Sequence, residues 1–494
     1  MKLSLKGHDY KYAAEQIMLM MFPSERPEYD SADSSCLSAE ISLFRGNVRS
    51  TARTRLYYEG RVYDGCSRCD APPAGDKLSE DRAFQKIIKL SFYKAAVAAT
   101  GVQPVWGALT GIRPGKLVTN MLSEGKSCSY AEKKLCREYF VTPRRARLCS
   151  QTAKAGLVVK NSLDIRDIAL YIGIPFCPTR CAYCSFVSHS VHKSMKLIPP
   201  FLDALYKEIE YTSELIKKLG LRVTSVYMGG GTPTTLSVQQ LSNLIDKLNS
   251  HFDFKNVLEF TVEAGRPDTI SEEKLRVLKE KGVTRVSVNP QSMSDDVLEA
   301  IGRKHTAKDV LDSVALARSA DIGGINMDLI AGLPADTPEK FKYTLDTVMS
   351  LRPENITVHT LSLKKGTRVT LEKTAIPDAS QVAQMLDYAE EKLTAAGYVP
   401  YYLYRQKFMS GGFENVGWCL PGYDNYYNIC IMEELCSILA LGGGGSTKLV
   451  APKSGRIERV FNPKYPQEYI ENIDKVCSSK DYMSEFYDRY VFDL

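Results

Sequence analysis

Between residues 166 and 362 the chain alternates between short apolar runs and longer amphipathic segments. Apolar runs of strand length fall at Ile168–Ile174, Val223–Met228, Val257–Val262, Arg285–Val288, Gly324–Ile330 and Ile356–Ser362. Helix-length segments lie between them: Phe201–Leu219, Ser237–His251, Glu272–Lys281, Ala307–Ala320 and Pro338–Leu351. Their apolar residues recur at the spacing that lines one helix face. Strand then helix, repeated, predicts parallel βα units with right-handed crossovers, either as an open sheet or curling toward a barrel. In both forms ligands sit at the carboxyl ends of the strands.

The flanks read differently. Residues 1–165 open with a short strand (Lys2–Lys6), an amphipathic stretch (Tyr10–Phe22) and two β-like runs near Ser38–Phe44 and Thr51–Tyr58, with Arg45-Gly46-Asn47 as a hairpin turn. From Ser79 to Lys160 the spacing is mostly helical, broken at Gly101, Pro104, Pro114 and Pro143. After residue 363 come a helix near Ala379–Ala396, a tyrosine-rich strand (Tyr398–Tyr404) and the run Gly442–Gly445. The pattern divides the α/β chain into an α+β N-terminal domain over 1–165, a core over 166–378 and a smaller C-terminal domain over 379–494.

Composition narrows the class. Hydrophobic residues make up 44% and charged residues 25% of the 494 positions, which excludes a disordered chain, a collagen or a coiled-coil rod. No window is long and apolar enough for a membrane span, and the N-terminus lacks a signal-peptide stretch, so a cytoplasmic protein is expected. Residues 1–165 carry 26 basic against 17 acidic side chains, so the net +6 is concentrated there. Such a surplus suits a solvated surface or an anionic partner. Arg144, Arg145 and Arg147 are expected on a solvated face.

Thirteen cysteines are too few for a disulfide scaffold. Cys66 and Cys69 form a lone C-x2-C pair with no second pair near it, and ordinary thiols are expected. Three others fall within eight residues, in Tyr171-Ile-Gly-Ile-Pro-Phe-Cys177-Pro-Thr-Arg-Cys181-Ala-Tyr-Cys184. This C-x3-C-x2-C loop follows the first strand of the βα region. Zinc usually takes four ligands from two pairs, and no second pair has the right distance. A cubane [4Fe–4S] cluster bound by three thiolates keeps one iron open to a small molecule. Reductive activation of S-adenosylmethionine requires such an iron, chelated by the amino and carboxylate groups of the methionine moiety.

The loop is the signature of radical S-adenosylmethionine enzymes, and the likeness continues along the strand ends. Tyr227-Met-Gly-Gly230-Gly231-Thr232-Pro ends the second strand; Glu263, Gln291, Arg303 and Asp328 follow in order. Together they resemble the oxygen-independent coproporphyrinogen III oxidases and their relatives. Tyr401-Tyr-Leu-Tyr-Arg-Gln-Lys-Phe, Glu414-Asn-Val-Gly-Trp, Leu441-Gly-Gly-Gly-Gly-Ser-Thr-Lys448 and Leu109-Thr-Gly-Ile-Arg-Pro114 resemble its HemZ-type branch. The resemblance implies a partial (β/α)6 barrel with an α+β N-terminal domain and a smaller C-terminal domain. It implies that Cys177, Cys181 and Cys184 hold a [4Fe–4S] cluster, acting catalytically through it. It further implies that Tyr171, Tyr183, Gly230, Gly231, Thr232, Glu263, Gln291, Arg303, Asp328 and Ser362 contact one or two S-adenosylmethionine molecules.

The activity implied is decarboxylation of two propionates of coproporphyrinogen III to vinyls, giving protoporphyrinogen IX through a 5′-deoxyadenosyl radical. Its partners would be an anionic tetrapyrrole and a low-potential electron donor such as flavodoxin or ferredoxin, with no membrane and nucleic acid disfavoured. Two departures bear on this. Gly173 stands where most of the family has histidine, and Phe186 stands where the best-known oxidases carry a further cysteine. The haem-chaperone branch also lacks that cysteine. A haem chaperone on the same scaffold, or a radical enzyme acting on another tetrapyrrole or on RNA, are therefore the alternatives. The tyrosines at 401, 402, 404, 423, 426 and 427 could line a macrocycle or fill the core.

Overall fold

Strands covered on both faces read as continuous apolar runs, and six such runs form the middle of one sheet. The computed structural model describes the chain except residues 31, 32, 34, 72–75, 185–188, 191–194, 365, 373, 407–409, 493 and 494. By its packing the chain divides into two units: Met1–Ser150 with Arg405–Phe413, and Gln151–Tyr404 with Glu414–Leu494.

The larger unit holds β1 (Asp167–Ile174), β2 (Arg222–Gly230), β3 (Glu259–Glu263), β4 (Arg285–Ser287), β5 (Gly324–Ala331) and β6 (Asn355–Thr360). They lie side by side in chain order, each parallel to its neighbours. This consecutive order is that of the expected partial (β/α)6 barrel. Four of the helices between them start on capping residues: Ser237 accepts from Gln240 N, Ser271 from Lys274 N, Thr306 from Asp309 N and Thr337 from Lys340 N. Each cap satisfies a backbone donor that the first helical turn leaves open. The third strand begins at Glu259, two residues later than the apolar run suggests, because Leu258 is exposed.

Residues 379–494 extend this sheet at both edges. Beside β1 lies Ser437–Gly442, parallel to it, followed by Ser446–Ala451 and Arg456–Phe461 in antiparallel pairing. Beside β6 lies Glu414–Cys419, antiparallel, with Val399–Arg405 outside it. The packing accordingly draws no boundary at 378/379, and its first boundary falls at Ser150, within the helix Pro143–Ser162. Arg145, on that helix, is 2% exposed and so does not lie on a solvated face as expected.

Gly173, the departure from the family's histidine, has a local cause. A Cβ there would stand 2.8 Å from the carbonyl oxygen of Gly443, on the turn that follows Ser437–Gly442. That turn is anchored from the helix Ile198–Leu219: Glu208 accepts from Gly442 N (2.7 Å), Asn462 Nδ2 (2.7 Å) and Tyr469 Oη (2.6 Å), and pairs with Lys480 at 3.0 Å. Glu208 and Lys480 are both buried.

In the smaller unit a five-stranded sheet runs in the order Glu28–Tyr29, Lys2–Lys6, Ser38–Phe44, Arg49–Tyr58, Arg61–Asp70. Helices Lys11–Met21 and Lys77–Thr100 contribute to the same core, in which Ile17, Ile41, Leu56, Ile88 and Phe92 are buried. Cys66 and Cys69 both lie on the last strand. Three residues apart on a strand they point to opposite faces; Cys66 is exposed and Cys69 packs against the core. They do not converge on one metal.

Removing one partner of a buried ion pair typically costs about 3–5 kcal/mol. Glu208→Ala should lower stability by that order, and Glu208→Ala with Lys480→Met should recover part of it. Denaturant unfolding checks this; equal losses in the single and double variants would remove the charge argument.

Candidate active site

The loop after β1 and the loop after β2 are clamped through their backbones. Gly231 N donates to Ile174 O and Thr232 N to Phe176 O, each at 2.7 Å. A Cβ on Gly231 would sit 2.8 Å from both the nitrogen and the carbonyl carbon of Phe176, so only glycine permits this approach. Cys177, at the end of the strand pair Phe176–Cys177, lies with its Sγ 3.4 Å from Thr232 Oγ1. Cys181 is buried, and Cys184 N donates to Cys181 O at 3.1 Å. The structure thus brings all three cysteines onto one loop at the carboxyl end of β1. Among the described residues no three His, Cys, Asp or Glu side chains converge on a single ion. A cubane offers a separate iron to each thiolate, so its ligands stand wider apart than those of one ion. Phe186 lies outside the described residues.

The interior wall beside this loop is aromatic. Tyr171 on β1 and Tyr227 on β2 are opposite each other in register and stack at 6.3 Å. Tyr427, from the helix Tyr426–Glu433, stacks on both at 6.4 and 4.6 Å. Tyr401, Tyr402 and Tyr427 are core residues, whereas Tyr423 is exposed. The six tyrosines therefore do not line one pocket together.

Glu263 ends β3 and accepts from Tyr227 Oη at 2.6 Å. Its surface is partly open to the interior, but protein surrounds it on all sides. That burial pushes its pKa up to about 7, against the hydrogen bond from Tyr227, and the nearby Asp328 charge adds to the rise. Asp328, on β5, accepts from Asn326 Nδ2 at 2.8 Å and faces His359 Nε2 at 3.8 Å. Burial opposes its charge, yet His359 and Asn326 hold its pKa below the usual carboxylate value. One neutral and one ionised carboxyl can donate and accept on a polyhydroxylated ligand.

Arg303 follows the helix Asp295–Ala300 and is 9% exposed. It donates to Asn289 O (2.7 Å), Gly265 O (3.2 Å) and Tyr183 Oη (3.2 Å), which ties the cysteine loop to the β3 and β4 ends. Gln291 follows β4 with φ of 68° and donates its backbone N–H to Asp328 O at 2.9 Å. Ser362 lies just past β6. Sequence reasoning missed Arg266, Asn289, His359 and the stacking role of Tyr427. The strand-end rule could have found Arg266 and Asn289, which follow β3 and β4 within three residues; no local signal marks Tyr427.

Three buried groups here lack a protein partner: Gln291 Oε1, Arg303 Nε and both ring nitrogens of His305. Orphaned buried polar atoms are rare in native proteins. Their grouping around a thiol loop and a glycine edge fits a polar ligand beside an iron–sulfur cluster.

This fold and site define a radical S-adenosylmethionine protein, and residues 171–348 match the Radical SAM superfamily model. The chain belongs to the oxygen-independent coproporphyrinogen-III oxidase-like family. It is 38% identical over 421 residues to the oxygen-independent coproporphyrinogen-III oxidase-like protein HemZ of Bacillus subtilis, covering 83% of this chain and 84% of that one. The haem chaperone HemW of Haemophilus influenzae is 28% identical, over 61% of this chain and 76% of its own. Coproporphyrinogen III oxidase (HemN) from Escherichia coli shares the fold with a TM-score of 0.52 at 24% identity, over 65% of this chain and 72% of that one. Radical SAM proteins use a [4Fe–4S] cluster and S-adenosylmethionine. Among the described residues no helix is long and apolar enough to cross a membrane.

The Glu263 carboxyl carries a pH signature. Its folded pKa near 7 exceeds the unfolded value of 4.5, so its contribution to stability is intact below 4.5 and is lost as pH rises through 7. Cofactor-free protein should therefore lose stability over that interval, and Glu263→Gln should lose less. Parallel pH profiles for the two proteins would refute the shift.

Proposed function

We propose that the chain catalyses the oxygen-independent oxidative decarboxylation of coproporphyrinogen III to protoporphyrinogen IX, a step of haem biosynthesis, in the cytoplasm. The span of the likeness carries this reading. The relation to HemZ runs through 83% of the chain, well beyond the six βα units, while the chaperone relation covers 61%.

In this reading Cys177, Cys181 and Cys184 would each hold one iron of the cluster and leave the fourth for S-adenosylmethionine. Gly230, Gly231 and Thr232 offer the methionine moiety an edge without bulky side chains. Tyr171, Tyr183, Glu263, Gln291, Arg303, Asp328 and Ser362 would surround one or two molecules of the cofactor. When bound, the cluster and cofactor supply a carbon radical able to take a hydrogen atom from the substrate. The protein's own part is positioning and exclusion of water. The open Arg303 Nε is a charged donor suited to a carboxylate. The protonated form of Glu263 offers an O–H, and Asp328 accepts. The stacked Tyr171, Tyr227 and Tyr427 wall the interior with aromatic surface. An anionic tetrapyrrole and a low-potential electron donor such as flavodoxin or ferredoxin complete the scheme.

Phe186 and the likeness to a haem chaperone favour a second reading, haem binding without turnover. Product mass separates the two. With reductant and S-adenosylmethionine under anaerobic conditions, each decarboxylation removes carbon dioxide and two hydrogens from the macrocycle. Deoxyadenosine formed without that change would retain the radical site and reject this substrate; stable haem binding without deoxyadenosine would favour the chaperone.

Two further outcomes test the site. Alanine at Cys177, Cys181 or Cys184 should abolish iron–sulfur absorbance after reconstitution, whereas Cys66→Ala with Cys69→Ala should leave it intact. Arg303→Ala should weaken S-adenosylmethionine binding about ten- to a hundredfold, the loss of about 1.5–3 kcal/mol expected of a charged hydrogen bond. Unchanged affinity with a full cluster would remove Arg303 from the cofactor site.

A further inference from the structure

Arg266 lies three residues past the end of β3 and is 3% exposed. Its guanidinium works in two directions. Nε and Nη2 donate to the two carboxylate oxygens of Asp268 at 3.0 and 2.9 Å. Nη1 points the other way, toward the cysteine loop. There it reaches Thr179 Oγ1 at 3.1 Å, Thr179 O at 3.4 Å and Cys181 Sγ at 3.8 Å. Thr179 belongs to the three-residue stretch between Cys177 and Cys181, so this arginine both braces the loop and touches a ligand sulfur. His305 stands beside it, and burial with the Arg303 and Arg266 charges pushes its pKa down to about 4. At neutral pH the positive field near Cys181 therefore comes from the arginines.

Hydrogen bonds to cysteinyl sulfur and nearby positive charge stabilise the reduced, more negative state of an iron–sulfur cluster, and solvent exposure weakens such effects. We propose that Arg266 sets the reduction potential of the cluster by donating to Cys181 Sγ, with Asp268 fixing the donor and partly offsetting its charge. This rests on the cluster assignment above. Arg266 is a positioning and tuning residue; it need not touch the substrate. Its pairing with Asp268 gives two variants whose effects have opposite signs.

The test is a potentiometric titration of the anaerobically reconstituted full-length protein, without substrate, followed by the electron paramagnetic resonance of the reduced cluster. Iron content is measured on the same samples. Arg266→Gln should shift the midpoint to a more negative potential, and Arg266→Lys, which keeps the charge but not the fork, should fall between it and the wild type. Asp268→Asn removes the offsetting carboxylate and should shift the midpoint to a more positive potential. Thr179→Val takes away one acceptor but leaves the guanidinium at the sulfur, so its midpoint should match the wild type. If Arg266→Gln does not take up iron, Arg266→Lys and Asp268→Asn carry the test. Shifts of the same sign in the arginine and aspartate variants, or none at full iron content, overturn the proposal. A Thr179→Val shift equal to that of Arg266→Gln would reduce Arg266 to a loop brace. A wild-type protein that binds no iron would instead remove the cluster assignment itself.

Discussion

Two backbone hydrogen bonds, Gly231 N to Ile174 O and Thr232 N to Phe176 O, hold the carboxyl ends of β1 and β2 together beyond the last strand residues. They form only because residue 231 has no side chain to meet Phe176. The cysteine loop leaves β1 at this point, so its first cysteine takes its place from the clamp, beside Thr232. Arg303 and Arg266 also reach the loop, through Tyr183 and Thr179. The thiol loop is thereby held by elements far apart in sequence.

Such a site is expensive for the fold. Glu263 and Asp328 share one interior, Arg303 and Arg266 are buried beside the thiols, and several polar atoms are left open. A buried polar group without a partner typically costs about 1–3 kcal/mol. The stabilising contributions lie elsewhere. Glu208, Lys480, Tyr469 and Asn462 form a buried network whose carboxylate is fully engaged, and it anchors the C-terminal turn against β1.

Much of this was legible in the sequence, for physical reasons. Parallel strands buried on both faces write themselves as apolar runs, so all six of β1 to β6 were readable, with end shifts of a few residues. The cysteine spacing was readable because three cysteines on one loop need no tertiary information. The strand Arg61–Asp70 was not. Its inward positions include Gly65 and Ser67, small residues that pack closely on the helix Lys77–Thr100, so the apolar alternation that marks a half-buried strand is missing. Arg266 was hidden for a related reason: next to an aspartate in a loop, an arginine reads as solvated, and only the fold turns it toward a sulfur.

The C-terminal segment shows how a sequence can conceal architecture while displaying every element. Its helix and tyrosine-rich strand were apparent, yet their irregular spacing suggested a separate domain. In the fold they add strands to both edges of the barrel sheet. An open edge presents unpaired backbone groups, which invite pairing with another chain. Ser437–Gly442 covers the β1 edge and Glu414–Cys419 the β6 edge. The same segment supplies Tyr427 to the interior stack and brings Gly443 against Gly173. Glycine at 173 is therefore matched to the turn that packs on it. A histidine restored there would have to displace Gly443, and with it the anchor on Glu208, so the departure at 173 and the glycine run at 442–445 are one structural feature written at two distant places in the chain.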